Sequence, residues 1–154
     1  MSPLFARPGP EAEYFASVCE EVLGPWFAKR GYTPVEELCT RTLLVWRRGW
    51  SFVEVNYWPQ DAPNFYVMAG IGLIRDLPPS LFVLARKPDR HGLGLWEAVT
   101  DDDDRSVLAG TFSDAAGLRG LLTRIRDRAL GYAEPLLADR DAMKLAIRNR
   151  KRAS

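Results

Sequence analysis

His91 is the one histidine of this chain and stands in a polar stretch, Lys87-Pro88-Asp89-Arg90-His91-Gly92, with Arg86 before it and Glu97 after it. Near neutrality a histidine can move a proton to or from a substrate when a partner positions it. Arg86, Arg90, His91 and Glu97 therefore form the candidate pocket of a small hydrolase-type enzyme. No partner stands at a fixed spacing from His91, however, and the simpler reading of the stretch is a surface loop. Four consecutive acids, Asp101 to Asp104, offer the oxygen atoms that hard cations take. They lack the alternating ligand spacing, the internal glycine and the distal glutamate of a calcium-binding loop, so a solvated hairpin tip is expected there. Cys19 and Cys39 fall in no zinc spacing, and a single histidine cannot complete the usual ligand set. Both thiols are expected reduced and buried, and no metal is assigned.

Nucleotide and nucleophile motifs are missing as well. The sequence has no GxxxxGK[ST] loop, no GxSxG elbow and no HExxH. "GIGLIRD" is spaced like part of a dinucleotide loop, but it lies inside a strand pattern and lacks the third glycine. No cofactor and no catalytic residue follow from these patterns. A pair of carboxylates stays open in any fold, since Glu54 could meet Glu97 or Asp76 in space.

A different kind of chemistry is concentrated in Thr40 to Trp58, TRTLLVWRRGWSFVEVNYW, which holds three of the five tryptophans. Two runs rich in β-branched and aromatic residues, Cys39 to Arg48 and Trp50 to Trp58, meet at Arg48-Gly49 and predict a hairpin. A two-residue loop there sets Leu44 against Val53 and Thr42 against Val55, with Trp46 and Tyr57 on the same side. That side is the expected core. The other side carries Arg41, Leu43, Val45 and Arg47 against Trp50, Phe52, Glu54, Asn56 and Trp58. Arginine and large rings are the usual anchors of protein interfaces, so Arg47, Trp50, Phe52 and Trp58 are the candidate binding surface. The competing reading, of equal weight, is that these rings are core; it holds if Trp50 and Trp58 are both buried.

Elements that would carry these groups follow from periodicity and punctuation. After a loose lead-in over residues 1–9, Pro10, Glu11 and Glu13 suit a helix start. Phe15, Val18, Cys19, Val22 and Trp26 then form a helical stripe; Gly24-Pro25 is expected to kink or split it, and Gly31 to close it. Pro59 to Asn64 reads as a turn. Phe65 to Ile74 is expected as a third strand with Phe65, Val67, Ala69, Ile71 and Leu73 on one face, and helix packing is the expected reason for Gly70 and Gly72 on the other. Beyond the Leu77-Pro78-Pro79 break, Leu81 to Arg86 is apolar and of undecided type. Leu93 to Val99 and Ser106 to Phe112 predict two further short strands. Ser113 is the expected cap of the longest helix, striped by Leu118, Leu121, Leu122, Ile125, Ala129, Tyr132 and Leu136 and kinked or ended at Pro135. Asp139 caps a last helix from about Arg140 to Arg150, with Met143 and Ile147 inward.

Strands bracketed by helices mean an α+β fold: an antiparallel sheet of about five strands, with an N-terminal helix and two C-terminal helices packed mainly on the Leu44/Val53/Val55 face. At 154 residues and 47% hydrophobic, the chain fits a single domain spanning 1–154 that buries a core unaided. Net charge is +1, yet residues 119–154 carry 10 basic and 4 acidic side chains. The basic tail over 148–154 raises nucleic-acid binding as the weakest alternative, because no aromatics interleave its charges. The start MSPLFARPGPE lacks a secretory pattern, and the longest apolar run, Val67 to Ile74, is too short to span a bilayer. A cytoplasmic protein without a membrane segment is expected. The 17 arginines against 4 lysines fit high-GC bacterial coding.

The leading helix closing in "KRGYTP", the hairpin "LLVWRRGWSFVEVNYW", the strand "FYVMAGIGL", the segment "RKPDRHGLGLW" and the late "YAEPLL" together resemble a family of bacterial domains of unknown function. The resemblance runs from about Glu13 to Leu137 and rests on patterns of hydrophobicity and punctuation. It implies an intracellular bacterial protein, with no reaction, cofactor or catalytic residue to carry over. The expected function is a non-catalytic protein-binding or accessory module, immunity-like or chaperone-like, whose partner is another protein or a second copy of the chain.

Overall fold

The computed structural model describes residues 7–74 and 92–153, with side chains described as far as residue 149. Expectations placed on Asp76, Leu77-Pro78-Pro79, Leu81 to Arg86, Lys87 to His91 and residues 1–6 lie outside the described residues, as do the tail side chains from Arg150. Among the described residues the strands are β1 (Thr33–Pro34), β2 (Leu43–Arg48), β3 (Ser51–Asn56), β4 (Phe65–Tyr66), β5 (Met68–Leu73), β6 (Gly92–Gly94) and β7 (Thr111–Phe112). The helices are α1 (Phe15–Lys29), α2 (Leu95–Ala98), α3 (Asp102–Ser106), α4 (Ala115–Arg128), α5 (Glu134–Ala138) and α6 (Arg140–Ala153). The fold is α+β: a five-stranded antiparallel sheet in the order β1-β2-β3-β5-β6, joined by a small β4-β7 pair.

One face of the sheet is closed by helices. Leu44, Trp46, Val53, Val55 and Ile71 project into the main core with Phe15, Val22 and Phe27 of α1 and Leu118, Leu121, Leu122 and Ile125 of α4. Strand side chains alternate between faces, so one parity in β2, β3 and β5 supplies this whole layer. Phe27 stacks on Trp46 with ring centroids 4.3 Å apart. Met143 and Ile147 place the inner side of α6 in the same core. Gly31 closes α1 at φ +84°, a conformation that costs glycine little, and Tyr32 N–H donates to Phe27 O across that end. Arg48 ties the hairpin end to the helices through Nη1 to Arg30 O (2.9 Å) and Nη2 to Leu137 O (3.3 Å).

Several expectations need correction. The hairpin turns at Gly49-Trp50, so Leu44 pairs with Val55 and Trp46 with Val53, two residues from the expected register. A two-residue shift preserves parity, and the division into faces survives it. Gly24-Pro25 neither splits nor ends α1, which runs through Pro25 because Leu23 and Phe27 on either side are anchored in the core. The third strand breaks at Val67: Phe65–Tyr66 pairs with Thr111–Phe112, leaving only Met68–Leu73 in the large sheet. Leu93 to Val99 is a strand only at its start, before α2. In Ser106 to Phe112, a 3-10 turn over Val107–Ala109 precedes β7. The four aspartates make a helix start, where Asp101 Oδ1 accepts from Asp104 N–H at 2.9 Å, since carboxylates suit a helix N-terminus better than a hairpin tip. Asp114, one residue later than expected, caps α4 by accepting from Gly117 N–H at 2.6 Å. Strand β1 was hidden by its proline, which an edge strand tolerates.

Candidate functional site

Among the described residues, neither α1 nor α4 covers the second face of the sheet, which divides in two. At the β1 end, Leu43, Val45 and Phe52 join Val35 and Leu38 in a separate small cluster with Ile74 packed against it. Toward β6 the face is rich in glycine. The register sets Glu54 opposite Gly70 and Gly70 opposite Gly94, while Phe52 faces Gly72 and Gly72 faces Gly92. Of these glycines, Gly70, Gly92 and Gly94 on two neighbouring strands contribute to a floor. The long helices α1 and α4 lie on the opposite face and do not account for Gly70. Glu54 explains one: a Cβ on Gly70 would stand 3.2 Å from its Oε1. Trp96 explains another, its ring lying 2.9 Å from where a Gly94 Cβ would be.

Above this floor is a hollow of about 780 Å³. Glu54 and Asn56 of β3 stand on its floor; Trp58, Asp61 and Tyr66 border it on one side, and Trp96, Glu97 and Arg105 on the other. Trp58 (36% exposed), Tyr66 (47%) and Trp96 (54%) are three of the four exposed large hydrophobic side chains among the described residues. The fourth, Leu145, is on α6, away from the hollow. Aromatic rings with half their surface in water are normal when single and informative when they converge.

Polar groups at the bottom are unusual in a second way. Glu54 is 7% exposed and Asn56 9% exposed, and neither Glu54 Oε2 nor Asn56 Oδ1 has a hydrogen-bond partner. Buried polar atoms are paired in the great majority of cases, so two orphans two residues apart need a reason. Tyr32 Oη and Tyr57 Oη are also orphaned, but Ser51 and Glu11 lie beside them. Glu54 has no such neighbour, and burial alone pushes its carboxyl up from 4.5 to about 7. Burial thus makes the ionised form costly unless a counter-ion joins it.

Glu97 and Arg105 are engaged. Glu97 accepts from Gly94 N–H at 3.2 Å across the start of α2. Arg105 donates to Val99 O through Nε (3.2 Å) and Nη2 (2.7 Å), which fixes α3 under the link from α2. No group of three or more His, Cys, Asp or Glu side chains among the described residues is arranged to hold a metal ion. No helix among them is long and apolar enough to cross a membrane.

The candidate surface Arg47, Trp50, Phe52 and Trp58 does not form one patch. Phe52 is buried between the small cluster and the hollow, and Trp58 is at the rim. Trp50, in the turn, is half-buried against the main core, while Arg47 is exposed and donates through Nε to Gly49 O. Their separation has a simple cause: Gly49 and Trp50 form the loop, where strand alternation no longer applies. Of the alternative pocket, Glu97 lines the hollow, and Arg86, Arg90 and His91 lie outside the described residues. Glu54 and Glu97 do border one space, as a carboxylate pair would require. Tyr66 and Trp96 carried no sequence signal, since a ring next to strand-like residues reads as core. Cys19 is buried, Cys39 half-buried, and both are free thiols.

No protein-family model, curated protein or solved structure matches the chain. Its function must be argued from the hollow itself.

Proposed function

We propose that this protein is a non-catalytic accessory module, immunity-like or chaperone-like, which holds a segment of another protein in the hollow on the second face of its sheet. The observation that carries this reading is the convergence of Trp58, Tyr66 and Trp96 on one concave space. Rings of this kind supply large contact area at low entropic cost and dominate the energetics of protein interfaces. Glycine at 70, 92 and 94 lets the guest approach that part of the sheet closely. The test is photocrosslinking in the native host, with a benzophenone amino acid in place of Trp96. A defined adduct that Trp58→Ala abolishes supports the reading, and an adduct with the chain itself identifies a homodimer. An adduct indifferent to Trp58→Ala, or none at all, overturns it.

A hydrolase-type site is the second reading, favoured by the Glu54 carboxyl near 7 beside Glu97 in one hollow. Glu54 would then serve as general acid or base. Its mark would be turnover of an ester or amide substrate that Glu54→Gln reduces by roughly 100-fold or more. Nucleic-acid binding ranks last. It would show as affinity falling steeply with salt and resting on the C-terminal arginines.

A further inference from the structure

Two buried acceptors at the floor of the hollow, Glu54 Oε2 and Asn56 Oδ1, have no hydrogen-bond partner. Asn56 Oδ1 can only accept, and an ionised Glu54 carboxylate can only accept. A purely apolar guest would seal both away unpaired, which carries the full desolvation penalty of each. The guest that suits this floor must bring N–H or O–H groups of its own.

Charge narrows the choice. Among the described residues, the titratable and charged groups that line the hollow with Glu54 are Asp61 from the turn after β3, Tyr66 from β4, Glu97 from α2 and Arg105 from α3. From β5 and β6 the described residues that border the hollow supply none. Even with Glu97 set aside as engaged, Glu54 and Asp61 stand against one guanidinium among the described residues, and that guanidinium is already held by Val99 O. The rim adds to the same preference, because the faces of tryptophan and tyrosine rings attract cations. Arg105 itself sits 5.9 Å from the Trp96 ring centroid. Gly70, Gly92 and Gly94 line the hollow beside Glu54, so the described strands there place no side chain of their own in the space a long unbranched stem would take.

We propose that the hollow receives a cationic N–H donor from the partner, the ammonium of a lysine or the guanidinium of an arginine. Glu54 is its counter-ion, Asn56 Oδ1 its second acceptor, and Trp58, Tyr66 and Trp96 enclose its stem. This rests on the reading of the hollow as a protein-binding site and names what enters it. The orphaned acceptors are then the empty half of a pair. A buried carboxylate is costly alone and much less so with a hydrogen-bonded counter-ion, so occupation also keeps Glu54 ionised.

The test uses the whole ¹⁵N-labelled chain and three probes of similar size: N-acetyl-lysine amide, N-acetyl-arginine amide and the uncharged N-acetyl-norleucine amide. The indole N–H resonances of Trp58 and Trp96 report occupancy. At about pH 8, where Glu54 is mostly ionised, a cationic probe shifts both indoles, and Glu54→Gln weakens it at least about tenfold. The norleucine probe is indifferent to Glu54→Gln. Gln keeps the shape of the side chain, and an unchanged spectrum outside the hollow establishes that the variant is folded. Lowering the pH to about 6 weakens the cation as Glu54 takes up its proton. The proposal is overturned if norleucine binds as well as lysine and arginine, if Glu54→Gln keeps full affinity, or if no probe shifts either indole. The Trp96 crosslink decides the broader binding reading separately, so a crosslinked partner with no preference for cations leaves that reading intact and removes this one.

Discussion

The two faces of the central sheet come from the same residues read at alternate positions, yet they are built to opposite ends. Val53, Val55, Ile71 and Trp46 face helices, and every side chain there meets apolar neighbours. One residue away, Glu54 and Asn56 face a glycine floor and a ring of half-exposed aromatics. The first face is filled, and what it contributes is stability. The second is left hollow, at a cost in stability, because two buried acceptors go unpaired. A protein under no demand beyond folding would place apolar side chains at 54, 56, 70 and 94. The contrast marks the second face as the place where something other than folding is being served.

The largest expected effect belongs to the filled face. Phe27→Ala removes a fully buried ring stacked on Trp46 and should cost about 3–5 kcal/mol in denaturant unfolding. A loss below about 1 kcal/mol would mean that the helix layer is not the stabilising one.

Next is a pH effect from the hollow. The folded carboxyl of Glu54 is raised to about 7, so the unfolded chain releases this proton first, near 4.5. Below that pH both states hold the proton and the group is neutral to stability. Between there and about 7 the unfolded state binds fewer protons, so stability falls as pH rises and stays low above. The full drop is about 3 kcal/mol for Glu54. Glu54→Gln should flatten that window and leave the variant more stable than the parent at about pH 8. Parallel curves for the two proteins would show that Glu54 is not desolvated, and the contrast between faces would lose its main support.

The smallest effect on stability is expected at the rim. Trp96→Ala removes a ring that is 54% exposed, and its cost should stay under about 1 kcal/mol although the residue is among the largest in the chain. A core-sized loss would class Trp96 with Phe27 and take it out of the binding surface.

Much of this contrast was legible before any tertiary structure. Alternation in Leu44 to Trp58 separates the apolar set from Arg47, Phe52, Glu54, Asn56 and Trp58, and it survives a hairpin register two residues away from the expected one. The glycine spacing in Gly70 and Gly72 was visible too, but not its cause. Which side of a strand receives the helices depends on α1 and α4, far away in sequence, and on crossing β3, β5 and β6 in that order. Trp50 was misassigned for a local reason: it belongs to the loop, where period two ends. Trp96 and Tyr66 were invisible as site residues, because they reach the hollow from α2 and β4, segments whose own patterns carry no trace of Glu54.

Local physics explains the division. Backbone geometry gives strands a period of two and helices a period of 3.6, so the sequence by itself determined the α+β class, the helical stripes, the caps at Gly31 and Asp139, and the side of the hairpin that is core. Pairing between distant segments is not periodic. Only the tertiary structure decided that Gly70 and Gly94 lie beside Glu54, that Trp58, Tyr66 and Trp96 converge, and that a carboxyl which reads as solvated in the chain is buried without a partner. Desolvation is a property of the space around a group, and that space is assembled from elements far apart in the chain.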